Sequence, residues 1–177
     1  MSTLITKAKA LKLLILDVDG VLTTGAIYYG SDGFEMKGFH IHDGLGLKLL
    51  QQAGLLLAII SGKKSEAVAR RLQELNIQHI YLGFEDKLPI YEKIKQELGL
   101  QDHEIAYMGD DLPDLPVLNE VGFAVAVSNA VAEVKKAADY VTEKRGGHGA
   151  VREVVEMILN VQGKWPQIVA DMENSKV

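Results

Sequence analysis

Residues 11–23, LKLLILDVDGVLT, combine a short apolar run with two aspartates, Asp17 and Asp19, that follow it directly. A run of this kind is typical of a buried strand in a parallel sheet, so both acids are expected where that strand leaves the sheet. Side chains alternate along an extended chain, which lets both carboxylates point into the same cleft. Because the carboxyl ends of parallel strands border the crevice in which open α/β sheets bind ligands, the stretch indicates an acidic ligand site. The alternative is a pair of solvated acids in a turn.

Two neighbouring carboxylates repel each other, and a bound divalent cation is the usual remedy. One carboxylate can then act as a nucleophile while its neighbour transfers protons. The pattern therefore favours a metal-dependent reaction at this strand end.

The composition is that of an ordinary globular protein. The chain has 177 residues, of which 47% are hydrophobic and 24% are charged, and this suits one domain with a sizeable core. A net charge of −5 argues against a nucleic-acid partner, which would favour a basic surface. Since the chain contains no cysteine, any metal must be held by oxygen or imidazole ligands.

Membrane segments and export signals are not expected. Residues 1–9 lack the apolar segment of a signal peptide, and no later apolar stretch approaches the length of a membrane span. The sequence therefore predicts a cytoplasmic protein with no membrane partner.

Strand-like and helical patterns alternate along the chain, which predicts an α/β fold whose parallel sheet has helices on both faces. The strand candidates are residues 13–16, 55–60, 79–82, 105–108 and 123–127. The helical candidates are residues 44–53, 65–75, 87–98, 112–120, 131–138 and 150–161. Residues 1–162 are expected to form a single catalytic domain, and residues 163–177 a flexible, frayed C-terminal tail.

One segment, at about residues 26–39, breaks this alternation. Residues 26–30 and 34–39 carry several aromatics and flank Ser31-Asp32-Gly33, a turn-forming triplet, so they predict a projecting β-hairpin. A lone hairpin is only marginally stable in water and needs a surface to pack on. Two partners stay open on these residues alone: the hairpin's own domain and a second subunit.

Further polar residues follow the other predicted strands. Ser61 and Gly62 come after the second strand, Lys87 opens a helix after the third, and residues 109–114, Gly-Asp-Asp-Leu-Pro-Asp, follow the fourth. Because these strand ends share one edge of a parallel sheet, the hydroxyl, the ammonium and the carboxylates are expected to meet there.

Each of these groups suits phosphoryl transfer. Asp17 is a nucleophile that needs no activating base, and Asp19 can protonate the leaving oxygen and then take a proton from water. Ser61 and Lys87 can bind the phosphoryl oxygens. Mg²⁺ held by the acids would offset the repulsion between phosphate and carboxylate. Taken singly, Ser61 as a helix cap and Lys87 as a surface lysine stay plausible.

Residues 17–23, Ser61-Gly62, Lys87 and residues 109–114 resemble the four motifs of the haloacid dehalogenase-like phosphatases. The resemblance implies a Rossmann-like sheet. It also implies that Mg²⁺ is held by Asp17, by the backbone carbonyl of Asp19 and by Asp110. The roles of Asp111 and Asp114 stay open, as supporting acids.

Residues 60–65, 107–116 and 146–153 resemble one subfamily more closely, the 3-deoxy-D-manno-octulosonate 8-phosphate phosphatases of bacterial lipopolysaccharide synthesis. The implied reaction is hydrolysis of that small acidic sugar phosphate through an aspartyl-phosphate intermediate. The alternatives are a phosphatase for a related sialic-acid-type 9-phosphate and a catalytically silent phosphosugar-binding protein. The resemblance also implies a homotetramer in which neighbouring subunits cover a site without a cap domain, and this favours the hairpin as an interface.

Candidate sugar contacts lie in three places. Lys63, next to the Ser61-Gly62 turn, is placed to meet a sugar carboxylate, and the resemblance also points to Arg71. The segment His40-Ile41-His42-Asp43-Gly44 is interpreted as a substrate loop with Asp43 as a helix cap, because two histidines without a third ligand make a poor metal site. The expected substrate contacts are Asp19, His40, Ile41, His42, Asp43, Gly44, Gly62, Lys63, Arg71 and Lys87. The glycine-rich loop 145–149 is either an anion contact or an ordinary flexible loop.

Overall fold

The computed structural model describes residues 2–174, and its centre is a sheet of six parallel strands. In chain order the strands are β1 (Leu13–Leu16), β2 (Tyr28–Tyr29), β3 (Glu35–Met36), β4 (Leu56–Ser61), β5 (His79–Leu82), β6 (Ile105–Gly109), β7 (Phe123–Ala126) and β8 (Tyr140–Val141). The sheet has the order β5-β4-β1-β6-β7-β8, and all of its neighbouring strands run parallel. The predicted parallel α/β fold is thus confirmed, and β8 is a strand that the sequence pattern did not indicate.

The helices form two groups around this sheet. They are α1 (Ser2–Ala10), α2 (Ile41–Gln52), α3 (Glu66–Glu74), α4 (Leu88–Leu98), α5 (Leu115–Leu118), α6 (Ala132–Ala137), α7 (Ala150–Val161) and α8 (Trp165–Asn174). Helix α7 contacts α1 and α2, whereas α5 contacts α4 and α6, as expected for helices that cover opposite faces. Within residues 2–174, none of the helices is both long and apolar enough to cross a bilayer.

Strand β1 occupies the middle of the sheet and is fully buried. Its first residue, Leu13, pairs with Leu56 of β4 on one side and with Ile105 of β6 on the other. Because the three strands run parallel, the residues that follow them emerge together at one edge. This edge carries the two acids after β1, the turn after β4 and the acidic segment after β6.

The predicted hairpin is present as β2 and β3. Tyr28 pairs with Met36 and Tyr29 with Glu35 in antiparallel register, and the Gly30 N–H donates to the Phe34 carbonyl oxygen at 2.8 Å. An isolated bridge between Thr23 and Phe39 joins the base of the hairpin to the turn after β1. Its tip projects from the domain, since Tyr29 is 70% exposed and Phe34 63%. No cap domain interrupts the chain between residues 2 and 174.

Part of the expected tail forms a regular helix, α8, while the predicted flexibility of the tail stays a prediction. Trp165 and Ile168 pack against the core, and the Arg152 guanidinium lies 5.0 Å from the centre of the Trp165 ring. The Lys164 ammonium also donates to the Ala53 carbonyl oxygen at 2.9 Å. These contacts dock the segment onto α2 and α7, and residues 175–177 lie outside the described part of the chain.

The predicted role of Asp43 as the cap of its own helix is also wrong. Helix α2 begins at Ile41, with His40 at the N-cap position, so Asp43 lies inside the first turn. Its buried carboxylate accepts the backbone N–H groups of Gly149 at 3.2 Å and Arg152 at 2.8 Å. Asp43 therefore caps α7 across the domain, where its negative charge faces the positive end of the helix.

Candidate active site

A sharp turn holds Asp17 at the end of β1. The Asp17 N–H donates to the Met108 carbonyl oxygen at 3.0 Å, which continues the sheet by one residue. The Val18 carbonyl oxygen then accepts the N–H groups of residues 21–23. Gly20 has a φ of +91°, and a Cβ at this position would collide with the Asp110 carboxylate. The glycine in the stretch DVDG therefore lets the first and fourth motifs approach each other.

The glycine-rich loop after β8 braces this turn. The Gly147 N–H donates to the Val21 carbonyl oxygen at 2.9 Å, and the Gly146 N–H donates to Asn129 Oδ1 at 2.8 Å. A Cβ on Gly146 would collide with the Gly20 carbonyl oxygen. The two glycines thus hold the loop against the backbone that carries Asp17, and contact with an anion stays a prediction.

Lys87 is a buried cation beside Asp17. Its ammonium lies 2.8 Å from Asp17 Oδ1 and 2.7 Å from Asp114 Oδ1. Burial opposes the charged form of Lys87, but the two carboxylates outweigh it and raise the pKa of the ammonium. Lys87 is therefore a permanently charged group at the base of the site. The alternative that it is a surface lysine is wrong.

Asp114 is 1% exposed and has hydrogen-bond donors at both of its oxygens. Oδ1 accepts from Lys87 and from the Tyr107 hydroxyl at 2.6 Å, while Oδ2 accepts the N–H groups of Asp110 at 2.8 Å and Asp111 at 3.2 Å. Burial and the negative charge of Asp114 raise the pKa of Tyr107 well above its ordinary value, so the hydroxyl stays a donor. Four donors fill the acceptor positions of a carboxylate, which makes Asp114 a structural support for its neighbours.

Asp111, in contrast, is exposed and accepts the Leu112 N–H at 2.8 Å, where it caps a short 3₁₀ turn over residues 112–114. The two acids with open roles thus differ: Asp114 positions Lys87, and Asp111 shapes the loop.

Carboxylate oxygens of Asp17, Asp110 and Asp114 all lie within 4.8 Å of one another. Burial raises the pKa of Asp17 to about 6, with Lys87 opposing this rise and Asp114 adding to it. Burial, Asp17 and the two acids of the same loop raise the pKa of Asp110 to about 8. A divalent cation would favour the ionised form of both groups.

The residues present therefore fit a hard cation such as Mg²⁺, which prefers oxygen ligands. Because four donors already surround Asp114, the carboxylates of Asp17 and Asp110 are the better candidates for ligands. The predicted contribution of the Asp19 backbone carbonyl stays a prediction.

Asp19 is held by a residue that the motifs did not indicate. The Lys37 ammonium lies 2.7 Å from one carboxylate oxygen of Asp19 and 2.8 Å from the other. Lys37 comes from the segment just after β3, and its side chain is only 1% exposed. Nothing in the sequence pattern singled out this lysine, because the pairing depends on how the hairpin folds back towards β1.

The carboxylates described above and Lys87 line a cavity of about 410 Å³ at the edge of the sheet. Of the predicted site residues, its wall contains Asp17, Asp19, Ser61, Gly62, Lys63, Lys87 and Asp110. Ser65, not Ser61, caps α3, and Ser61 instead accepts the Lys63 N–H through its Oγ at 3.4 Å. The helix-cap alternative for Ser61 is thus wrong, and the residue lines the cavity. Glu85 and Ile27 also line the cavity, and no motif indicated either of them.

The remaining predicted sugar contacts lie elsewhere in the described chain. Arg71 lines a neighbouring groove of about 810 Å³ between the hairpin and α3. A Cβ on Gly44 would collide with the Arg71 guanidinium, so the start of α2 lies against the same arginine. The rings of His40 and His42 stack edge to face at 5.0 Å, and Ile41 is exposed. Contact between these residues and a substrate stays a prediction.

Comparison with known proteins agrees with this geometry. A family model for haloacid dehalogenase-like hydrolases matches residues 80–154. The 3-deoxy-D-manno-octulosonate 8-phosphate phosphatase of Salmonella typhi is 45% identical over 159 residues, which cover 90% of this chain and 85% of the relative. The chain belongs to the haloacid dehalogenase-like phosphatases. It is therefore an enzyme, a phosphoric monoester hydrolase.

Solved structures of similar proteins contain divalent ions. The 3-deoxy-D-manno-octulosonate 8-phosphate phosphatase of Moraxella catarrhalis, in complex with a magnesium ion, a phosphate ion and a KDO molecule, superposes with a TM-score of 0.95. The two chains share 45% identity, and the match covers 97% of this chain and 99% of that one. A cobalt-bound phosphatase of Haemophilus influenzae is 40% identical with a TM-score of 0.86, over 89% of this chain and 92% of that one. This likeness confirms the Rossmann-like fold.

Proposed function

We propose that this enzyme hydrolyses 3-deoxy-D-manno-octulosonate 8-phosphate to the free sugar acid and phosphate, with Mg²⁺ as cofactor, as a cytoplasmic step of lipopolysaccharide biosynthesis. The observation that carries the proposal is the buried Asp17–Lys87–Asp114 group with Asp110 and Asp19 in one cavity. The named relatives supply the substrate, because they match the chain over nearly its whole length.

The geometry supports a reaction in two steps. A carboxylate oxygen of Asp17 attacks phosphorus, and the bond from phosphorus to the sugar oxygen breaks while Asp19 gives that oxygen a proton. Asp19 then takes a proton from a water molecule that attacks phosphorus, which releases phosphate and restores Asp17. When bound by Asp17 and Asp110, Mg²⁺ supplies positive charge that offsets the repulsion between the anions. In this proposal, Lys87 and Ser61 bind the phosphoryl oxygens.

Two alternatives are not favoured. The relatives reported above are named for the octulosonate ester, which argues against a sialic-acid-type 9-phosphate. A silent binding protein would not need a buried nucleophile with its own lysine, and such a site costs stability to maintain.

Phosphate release from a panel of sugar phosphates tests the substrate directly. We expect the octulosonate 8-phosphate to give a higher kcat/KM than a sialic-acid-type 9-phosphate, glucose 6-phosphate and glycerol phosphate. The Asp17→Asn variant serves as the control for contaminating phosphatases. A preference for another sugar phosphate would refute the proposed substrate, and phosphate release in the control equal to the parent would refute the role of Asp17.

We also propose that the hairpin joins subunits into a homotetramer. Tyr28, Tyr29, Phe34 and Met36 expose large apolar surfaces on one short hairpin, and a patch of this kind marks interaction sites in soluble proteins. The groove beside the hairpin also contains Arg71, one of the predicted sugar contacts outside the cavity wall. A neighbouring copy that covers the apolar patch would therefore also cover this arginine.

A further inference from the structure

Lys37 is a buried lysine whose charge the catalytic motifs do not use. Burying an ammonium is costly unless it is paired, and a long lysine side chain also loses conformational freedom when it is fixed. Its partners are Asp19, at 2.7 and 2.8 Å, and Glu35, whose Oε1 lies 3.7 Å away. The close pairing with Asp19 therefore accounts for the burial of Lys37.

Lys37 and Asp19 line different pockets of the structure. Asp19 lines the cavity that contains Asp17, whereas Lys37 lines the groove between the hairpin and α3. A carboxylate offers about four acceptor positions, so one donor at each oxygen leaves other positions free. Asp19 is thus held by Lys37 while it lines the cavity, and its carboxylate keeps acceptor positions that Lys37 does not occupy.

The contact between Lys37 and Asp19 can form with either of the two protonation states of Asp19 that the proposed reaction requires. When Asp19 is ionised, Lys37 donates to both oxygens, as the structure shows. When one oxygen carries the proton, the other can still accept from Lys37, and the O–H group can point to the leaving oxygen.

The same lysine is fixed by the fold on either side. The Thr23–Phe39 bridge anchors the chain two residues after Lys37. On the other side, Glu35 accepts a hydrogen bond from the Ser65 hydroxyl at 2.6 Å, and Ser65 caps the helix that follows the Ser61-Gly62 turn. Asp19 is thereby linked through Lys37 to the hairpin and to the predicted phosphate-binding turn.

We propose that Lys37 is a positioning residue, which aims the Asp19 carboxyl group at the leaving oxygen of the phosphate ester. This inference rests on the proposed function to the extent that Asp19 acts as the acid of the first step. It assigns to the hairpin a role in proton transfer in addition to any role in assembly.

The test compares phosphate esters that differ in their need for an acid. An alkyl leaving group departs slowly unless it is protonated, whereas p-nitrophenolate leaves readily without a proton. Because kcat/KM reports the steps up to departure of the alcohol, it isolates the transfer that Lys37 would assist. We expect Lys37→Met to lower kcat/KM for an alkyl phosphate by about 10²-fold, and the value for p-nitrophenyl phosphate by less than about 3-fold.

Three further variants separate positioning from general support of the hairpin. Glu35→Gln, the matched control, removes the more distant acid near Lys37 but keeps an acceptor for Ser65 and leaves the close Lys37–Asp19 pair, so both ester classes are expected to change little and to the same extent. In an Asp19→Asn background, Lys37→Met should cause almost no further loss with the alkyl ester, because the group that it positions is already gone. Lys37→Gln keeps a hydrogen-bond donor without the charge and should retain part of the alkyl activity. It replaces Lys37→Met in the comparison if that variant folds poorly.

Equal losses for alkyl and p-nitrophenyl phosphates in both Lys37 variants would overturn the proposal. So would a full, additional loss in the Asp19→Asn background. The comparison uses whichever alkyl phosphate the parent enzyme turns over. A parent that hydrolyses glycerol phosphate but not the octulosonate ester would therefore refute the proposed substrate alone.

Discussion

Asp114→Asn should destabilise the protein strongly although it changes a single oxygen to an NH₂ group. The carboxylate is 1% exposed and accepts Lys87 and Tyr107 at one oxygen and two backbone N–H groups at the other. An asparagine can present its carbonyl oxygen to only one of these pairs. In either orientation its NH₂ group faces a group that can only donate, either the Lys87 ammonium or the two backbone N–H groups, so part of the network becomes a contact between donors.

The expected cost follows from these partners. A hydrogen bond to a charged group contributes roughly 1.5–3 kcal/mol, and removing one partner of a buried ion pair typically costs about 3–5 kcal/mol. The change also leaves Lys87 with one carboxylate instead of two. We therefore expect the free energy of unfolding to fall by about 3–5 kcal/mol, a large share of the roughly 5–15 kcal/mol that is typical of a native protein.

Urea denaturation followed by circular dichroism measures this loss, and phosphatase assays at low temperature report on the site. Asp111→Asn is the matched control, because it makes the same chemical change three residues away at an exposed cap, where asparagine serves as well as aspartate. Tyr107→Phe should lie between the two, at about 1 kcal/mol, since it removes only one of four donors. A loss below about 1 kcal/mol in Asp114→Asn, or an equal loss in the control, would refute this account of Asp114.

Three other outcomes are expected. Asp17→Asn should abolish turnover, and because Asp114 still pairs with Lys87, its urea midpoint should fall less than that of Asp114→Asn; substantial phosphate release by the purified variant would contradict a nucleophilic role. EDTA should stop the reaction and Mg²⁺ should restore it, with Ca²⁺ a poor substitute because it prefers more ligands at longer distances; undiminished activity in excess chelator would contradict a metal site. Replacing Tyr29 and Phe34 with serine should give smaller particles in light scattering, since burial of such side chains contributes roughly 1.5–3 kcal/mol each, and a monomeric parent would rule out the tetramer.

The sheet was predictable because its strands have strong local signals. Strands such as β1 and β6 are apolar throughout and are followed by acids, so both their existence and their order could be inferred. Strand β8 has only two residues, too few for a pattern. Helix α8 has Pro166 in its first turn and apolar residues at helical spacing, a pattern that was missed, and its docking through Trp165 depends on a contact with Arg152 that sequence spacing does not show.

The motifs located the proposed catalytic groups but not the residues that hold them in place. Asp17 and Lys87 could be assigned because parallel strands bring their ends to one edge. The position of Asp43 was misread because Gly44 and Gly46 are weak helix formers, and the backbone groups that it caps lie more than a hundred residues away. The role of Asp114 stayed open until its burial and its four donors were known.

The hairpin connects the proposed assembly of subunits with the proposed role of Lys37. Its strands have two residues each, and a hairpin of this size is marginal in isolation. On its inner side the segment is held by the ion pair between Lys37 and Asp19. On its outer side Tyr29 and Phe34 are exposed in a single chain. A neighbouring subunit that covers the outer side would restrict the same segment that aims the acid. Assembly and proton transfer would then depend on one another through the hairpin, without a separate cap domain.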